Sequence, residues 1–206
     1  MNKTPIFPLK LVVFPNSKYP LHIFEERYKK LVRKCLNEDS GFIIVLSLDN
    51  IVHNIGVYVK IDYIIKEYES GEFDIIIKGL KRYLIDKISL HSDGYYEAKT
   101  EDYDDEYSET DINLTNEVLE NFKNILNKIN FSLDDYYWDK IKNSELKSFK
   151  VAEKCGLTLE MQQELLTIKN ENQRMKYLLN YFKELDDYIS DSEFKKRITL
   201  NDGFLN

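Results

Sequence analysis

Cysteine, glycine, proline and histidine are all scarce in this 206-residue chain, and each scarcity closes off a class of protein. The two cysteines, Cys35 and Cys155, lie far apart in a chain large enough to build a core without staples, so no disulfide framework is expected and both read as reduced core thiols. A zinc site needs clustered thiolates or imidazoles, and the three histidines, His22, His53 and His91, are isolated from one another. The seven glycines, at 41, 56, 71, 79, 94, 156 and 203, never take the spacing of a phosphate-cradling loop, and no G-x-S-x-G nucleophile elbow occurs. Long apolar runs are missing as well. The longest, FIIVL at 42–46, falls far short of the roughly 20 residues that span a bilayer. The opening MNKTPIFPLK has no signal-type apolar region, and a cytoplasmic protein with no membrane contact is expected. Positive charge is in deficit, 29 Lys and Arg against 36 Asp and Glu for a net −7, which argues against a nucleic-acid binder acting through its whole surface. No cofactor and no metal are expected.

What is present changes character near residue 110. All four prolines, Pro5, Pro8, Pro15 and Pro20, fall in the first 20 residues and keep the start extended. LKLVVF reads as a buried strand between breakers. Phe24, Tyr28, Leu31, Val32, Cys35 and Leu36 then recur at helical spacing, with acids leading and bases trailing. From Gly41 to Tyr103 the period drops to two. FIIVLSL reads as a strand buried on both faces, and Val57, Val59, Ile61, Tyr63 and Ile65 alternate with polar residues on a half-buried one. Phe73, Ile75 and Ile77 repeat the alternation after Gly71, which predicts a hairpin, and Gly79 marks a bulge or a turn before LKRYLIDKIS. YYEAKTEDY supplies a sixth strand.

Residues 101–111, EDYDDEYSETD, hold seven acids and no base, and read as a solvated linker with no glycine for a calcium loop. Everything after it has helical period. Leu114, Val118, Leu119, Phe122, Ile125, Leu126 and Ile129 form one stripe. Ser132 with Asp135 suggests a capping box, Gly156 a helix end, and Thr158 and Asn170 two further N-caps. The expected organisation is a β subdomain over 1–106, an acidic linker over 107–112, a helical bundle over 113–189 and a polar tail over 190–206.

The segment TPIFPLKLVVFPNSKYPLHIFEERYKKLVRKCL, at 4–36, resembles the opening of the Lon protease N-terminal, or substrate-binding, domain family. Pro5, Phe7, Pro8, Leu9, Phe14, Pro15, Pro20, Leu21, Ile23, Phe24, Glu25, Arg27 and Tyr28 fall on that pattern, and Gly79 with Arg82-Tyr83 resembles its G-x-x-R-[FY] segment. Asn16 and Glu26 depart from it, standing where Gly and Pro are common. The resemblance implies an α+β fold: a PUA-like antiparallel pseudo-β-barrel with one early helix, followed by a helical bundle. It also implies a non-catalytic module that binds unfolded or exposed hydrophobic protein segments, with a separate AAA+ protease chain as a further partner. Neither a P-loop motor nor the family's peptidase domain falls within the resemblance. Surface aromatics are the natural anchors, and the sheet offers Tyr58, Tyr63, Tyr68, Phe73, Tyr83, Tyr95 and Tyr96. Arg27 and Arg82 read as structural partners of nearby acids, and His22 as a hydrogen-bonded structural histidine. Two other readings stay open. PUA-like barrels elsewhere hold RNA, and residues 1–34 carry eight bases against two acids; an enzyme would need an unmarked carboxylate or histidine site.

Overall fold

The computed structural model describes residues 3–189, so the tail at 190–206 lies outside the described residues. The chain divides into two units between Asp104 and Asp105.

The first unit runs β1 (Thr4–Leu9), β2 (Lys18–Ile23), α1 (Glu26–Asn37), β3 (Phe42–Leu48), β4 (Ile51–Glu67), β5 (Phe73–Leu90) and β6 (Tyr96–Asp102). The sheet order is β2-β5-β4-β3-β1-β6, and β5 also pairs with β6. Five strands therefore close a circuit, while β2 stands outside it as a flap on the first half of β5. The architecture is α+β, as expected, but the barrel is not a clean one. Nor is it wholly antiparallel: β1 and β3 pair in parallel, Ile6 opposite Ile43 and Leu9 opposite Leu46, because β2 and α1 form the long crossover that a parallel pair requires.

The expected strand LKLVVF is displaced. The first strand is Thr4–Leu9, and Leu11 to Phe14 are buried outside the sheet. Buried backbone off the ladder needs other partners, and a tight turn provides them. The Ser17 amide donates to the Phe14 carbonyl (3.3 Å), with Pro15 and a left-handed Asn16 (φ 62) between them, the arrangement of a type II turn. Asn16 accordingly sits where glycine is otherwise favoured. The turn docks on Gly79: the Asn16 amide donates to the Gly79 carbonyl and the Gly79 amide to the Ser17 carbonyl, both at 2.9 Å. A Cβ at position 79 would lie 2.3 Å from the Phe14 carbonyl oxygen. The chain does not break here. Between the pairs Tyr58↔Lys81 and Val59↔Gly79 one residue, Leu80, is extra, so β5 bulges and continues as a single strand.

Inside the barrel Ile6, Ile43, Val45, Ile85 and Ala98 form a buried cluster, with Tyr58 and Tyr83 against it. α1 begins at Glu26, and Phe24 lies outside it. Tyr28 of this helix stacks on Phe7 at 3.6 Å between ring centroids. Lys29 donates to the Ser70 carbonyl (3.1 Å) and Arg33 to that of Gly71 (3.3 Å), so α1 also grips the β4–β5 turn, where Gly71 takes φ 80.

The second unit holds α2 (Ile112–Lys128), α3 (Asp135–Asn143), α4 (Lys147–Ala152), α5 (Leu159–Thr167) and α6 (Glu171–Tyr188). Asp111, Asp134, Thr158 and Asn170 each accept an amide of the first turn as N-caps. The cap of α3 is thus Asp134, two residues after the expected Ser132. Phe122 of α2 stacks on Phe182 of α6 at 5.6 Å. The acidic stretch is not simply solvated. Arg174, fully buried, forks onto Asp105 (3.0 and 2.6 Å) and also reaches Glu171 (2.8 Å), Ser148 (2.9 Å) and the Ile168 carbonyl (2.7 Å). Asn172 then holds the Glu109 carbonyl (2.7 Å) and the Asp111 amide (3.0 Å), so the residues between are tied to the start of α6.

Three outcomes follow from this packing. Gly79→Ala should destabilise the chain by about 2–3 kcal/mol in thermal or urea unfolding, since a methyl group would meet backbone that cannot swing away, whereas Asn16→Gly should stay within about 0.5 kcal/mol of the parent. Arg174→Met should cost about 3 kcal/mol, and Arg174→Lys should not restore it, because the fork is lost and partly buried carboxylates lose their cation; urea unfolding followed through Trp138, the single tryptophan, reads this unit. Burial pushes the Cys155 thiol up to about 12 and also raises Cys35, so neither should react with a disulfide reagent at pH 8 until denaturant is added.

Candidate docking face

Beyond the Gly79 corner the sheet is three strands wide, β2-β5-β4, and its register places side chains in rows. Residues directly opposite one another share a face. Phe73, Ile75 and Ile77 of β5 are buried on the inner side. The alternate residues Asp74, Ile76 and Lys78 point the other way. The pairs His22↔Asp74, Pro20↔Ile76 and Lys18↔Lys78 on one side, and Lys66↔Asp74, Tyr63↔Ile76 and Lys60↔Lys78 on the other, complete the outer face. Its middle row, Pro20-Ile76-Tyr63, is apolar, with Tyr63 53% exposed. Phe24 lies past the end of β2, beyond His22, and is 60% exposed.

The row toward the β4–β5 turn is held by polar bonds. The His22 ring nitrogen Nδ1 and the Asp74 carboxylate meet at 2.7 Å, and the Tyr68 hydroxyl donates to the same carboxylate at 2.6 Å. These two bonds, Tyr68 first and His22 second, hold the Asp74 carboxyl below the usual carboxylate range, while the Asp74 bond raises the Tyr68 phenol. His22 stacks against Phe24 (5.9 Å) and meets the edge of Tyr68 (6.1 Å). One carboxylate thus holds the His22 and Tyr68 rings, and Phe24 stands beside His22. The histidine is hydrogen-bonded, as its neighbours suggest, but its ring is half exposed.

This layer has two free borders, the open side of β2, which pairs only with β5, and β4. Pairing with β3 ends at Phe42↔Val59, so from Lys60 onward β4 is a sheet edge. Register shifts at Asp62 and Ile65 bulge it twice in a few residues, and charged Lys60, Asp62, Lys66 and Glu67 line it. Bulges and charges of this kind discourage addition of another strand. At β4, therefore, the layer offers side chains on its face more readily than backbone at its edge.

Of the aromatics expected as anchors, Tyr63 lies on this face and Tyr68 at its end. Tyr58 and Tyr83 meet edge to face at 6.2 Å against the barrel cluster. Phe73 and Tyr95 are core rings and present nothing to solvent: Phe73 points inward beneath Arg33 (5.3 Å), and Tyr95 stacks on His91 (4.4 Å) with Lys34 of α1 at its hydroxyl (3.4 Å). Tyr96 is half exposed elsewhere, opposite Ile6 and Leu90. Sequence reasoning missed Pro20, Phe24 and Ile76. The available signal was Ile76, an isoleucine on the polar phase of β5, between Asp74 and Lys78. Arg27 pairs with Glu25 at 2.7 Å, and Arg82 lies over the Tyr103 ring at 5.1 Å. In the second unit a groove of about 370 Å³ passes over Leu119, Trp138 and Ile141. Its rim carries Glu120, Lys123, Asp139 and Lys142, with neither a histidine nor a cysteine. Among the described residues no group of three or more His, Cys, Asp or Glu could hold a metal ion, and no helix is long and apolar enough to cross a membrane.

The fold is shared with solved structures. A crystal structure of a Lon N-terminal domain protein from Xanthomonas campestris superposes with a TM-score of 0.68 at 22% identity, covering 88% of this chain and 99% of that one. The N-terminal domain of Mycobacterium avium complex Lon protease gives 0.65 at 14% identity, covering 89% and 99%. No curated protein matches. The model of the ATP-dependent protease La (LON) substrate-binding domain matches residues 3–184, almost the whole described chain, and the chain belongs to that family.

Proposed function

We propose that this chain is a non-catalytic, cytoplasmic binding module that holds unfolded or exposed hydrophobic protein segments on the outer face of β2-β5-β4, handing them to a separate AAA+ protease chain. The observation that carries the reading is the apolar row Pro20-Ile76-Tyr63, with Tyr63 and nearby Phe24 exposed, on a layer whose inner side is filled with Phe73, Ile75 and Ile77. Family membership supplies the general role of a substrate-binding domain. Aromatic and aliphatic side chains on a rigid sheet contribute most of what such a surface can give, and the ordering of a flexible client offsets much of it, so affinities in the micromolar range suit the geometry.

Nucleic-acid binding is less well supported. Five of the eight bases in residues 1–34 already face carboxylates: Lys3 faces Glu97, Lys18 Asp62, Arg27 Glu25, Lys29 Glu26 and Lys30 Asp93. Little of their charge remains to displace counterions.

In fluorescence anisotropy with a labelled, reduced and carboxymethylated protein, the double variant Phe24→Ser/Tyr63→Ser should weaken binding about tenfold. Ile88→Ser/Leu90→Ser, which removes exposed apolar side chains elsewhere on β5, should leave it unchanged. Equal losses in both variants, or no binding by the parent at high micromolar concentration, would overturn the proposal.

A further inference from the structure

The apolar row of the docking face lies between two polar bars that cross the layer from β2 to β4. On the Gly79 side the bar is an ion pair, in which the Lys18 ammonium of β2 meets the Asp62 carboxylate of β4 at 2.6 Å. β5 separates those two strands, and Lys18 shares the outer side with Lys78 opposite it, so the pair forms over the outer face of β5. On the side of the β4–β5 turn the bar has more members. His22 of β2 is bonded to Asp74 of β5 (2.7 Å), Asp74 accepts from the Tyr68 hydroxyl (2.6 Å), and the Lys66 ammonium of β4 lies 4.3 Å from the centre of the Tyr68 ring. From the Lys78 row to the Asp74 row is four residues of extended strand, roughly 13 Å, part of which the two bars fill. Between them Pro20, Ile76 and Tyr63 line a shallow slot that runs across the strands for about 10 Å, the width of two interstrand spacings.

The slot is open at both ends. One mouth is the free side of β2 at Pro20, and the other is β4 at Tyr63, past the end of its pairing with β3. Neither mouth favours strand addition: Pro20 has no amide to donate, and β4 bulges at Asp62 on one side of Tyr63 and at Ile65 on the other. A chain lying along the strands would have to cover both bars and take their charges out of water, whereas a chain lying across the strands covers only the apolar row. The floor of the slot is roughly 130 Å², far below the ~800 Å² that each partner gives to a stable protein–protein interface, so its occupant is a single extended polypeptide and not a folded partner or a second copy.

We infer that the client crosses the strands, and that the face recognises a contiguous apolar run of about three to four residues within a longer chain. The inference rests on the docking reading above and adds to it the path and the class of segment. Because polypeptide can continue past both mouths, no free terminus is required and an internal segment is a complete ligand.

Two labelled peptides of about fourteen residues, identical in composition and long enough to pass both mouths, test it. In one, four apolar residues are contiguous at the centre; in the other, the same four are separated by pairs of serine and glycine. With the full chain in fluorescence anisotropy the contiguous peptide should bind about five- to tenfold tighter. A cysteine added just beyond the run then reports the path. It should form a disulfide with Ile65→Cys, at the β4 mouth, in preference to Ser70→Cys, in the β4–β5 turn, while the native Cys35 and Cys155 stay buried. Equal affinities for the two peptides, or trapping mainly at Ser70→Cys, with binding still sensitive to Phe24→Ser/Tyr63→Ser, would overturn the crossing path and leave the docking face standing. Binding of neither peptide, or binding indifferent to Phe24→Ser/Tyr63→Ser, would overturn both.

Discussion

The first unit depends on one close approach of backbone to backbone, that of the Phe14–Ser17 turn to Gly79. An 18-residue strand that serves two sheets has to change neighbours somewhere. β5 does so here: before Gly79 its second partner is β2, and from Tyr83 onward it is β6. The exchange leaves the polar groups of Gly79 without a strand to bond, and the turn takes both of them. Burial of Leu11 to Phe14 in irregular conformation is tolerable for the same reason, since that segment ends in a turn whose amide and carbonyl groups are satisfied by β5. The position of β2 follows, because the chain leaves the turn already alongside β5. The three-stranded layer and its apolar row are consequences of that placement.

A second theme is that buried or half-buried charge is used to fix loops. Arg174 orders the stretch from Asp105 to Asp111 by bonding one of its carboxylates, while Asn172 takes its backbone. Buried Lys29 does the same for the β4–β5 turn through the Ser70 carbonyl. Asp74 ties His22 to Tyr68 across three segments. In each case the ionised group satisfies several partners at once, which is how an ion removed from water recovers its solvation. These bonds give rigid shape to segments that composition alone would assign to solvent.

How far the sequence reveals this depends on whether a feature is local. The helices of the second unit are legible because caps and stripes lie within one stretch: Asp111, Thr158 and Asn170 stand where a polar residue precedes an apolar period, and only α3 shifts its cap, to Asp134. The β4–β5 hairpin is legible through Gly71 for the same reason. The parallel pairing of β1 with β3 is not, since it depends on where a crossover lands. LKLVVF has the composition of a strand and lacks only a partner, which is a tertiary fact. Residue type and alternation treat Tyr63, Phe73 and Tyr95 alike, and that the first is exposed while the other two are core rings is a tertiary fact. Pro20 and Ile76 become neighbours only through register, and no property of either residue announces it.

The two bulges of β4 have a consequence for how molecules of this kind coexist. A chain that keeps hydrophobic side chains uncovered beside an unpaired strand border would ordinarily seed its own polymerisation, each copy offering the next a straight rail to grow on. Asp62 and Ile65 interrupt that rail on β4 within a few residues, and on β2 Pro20 has no amide to donate, so each border gives filaments a broken template, and the apolar rows can stay open at high concentration for partners other than the chain itself.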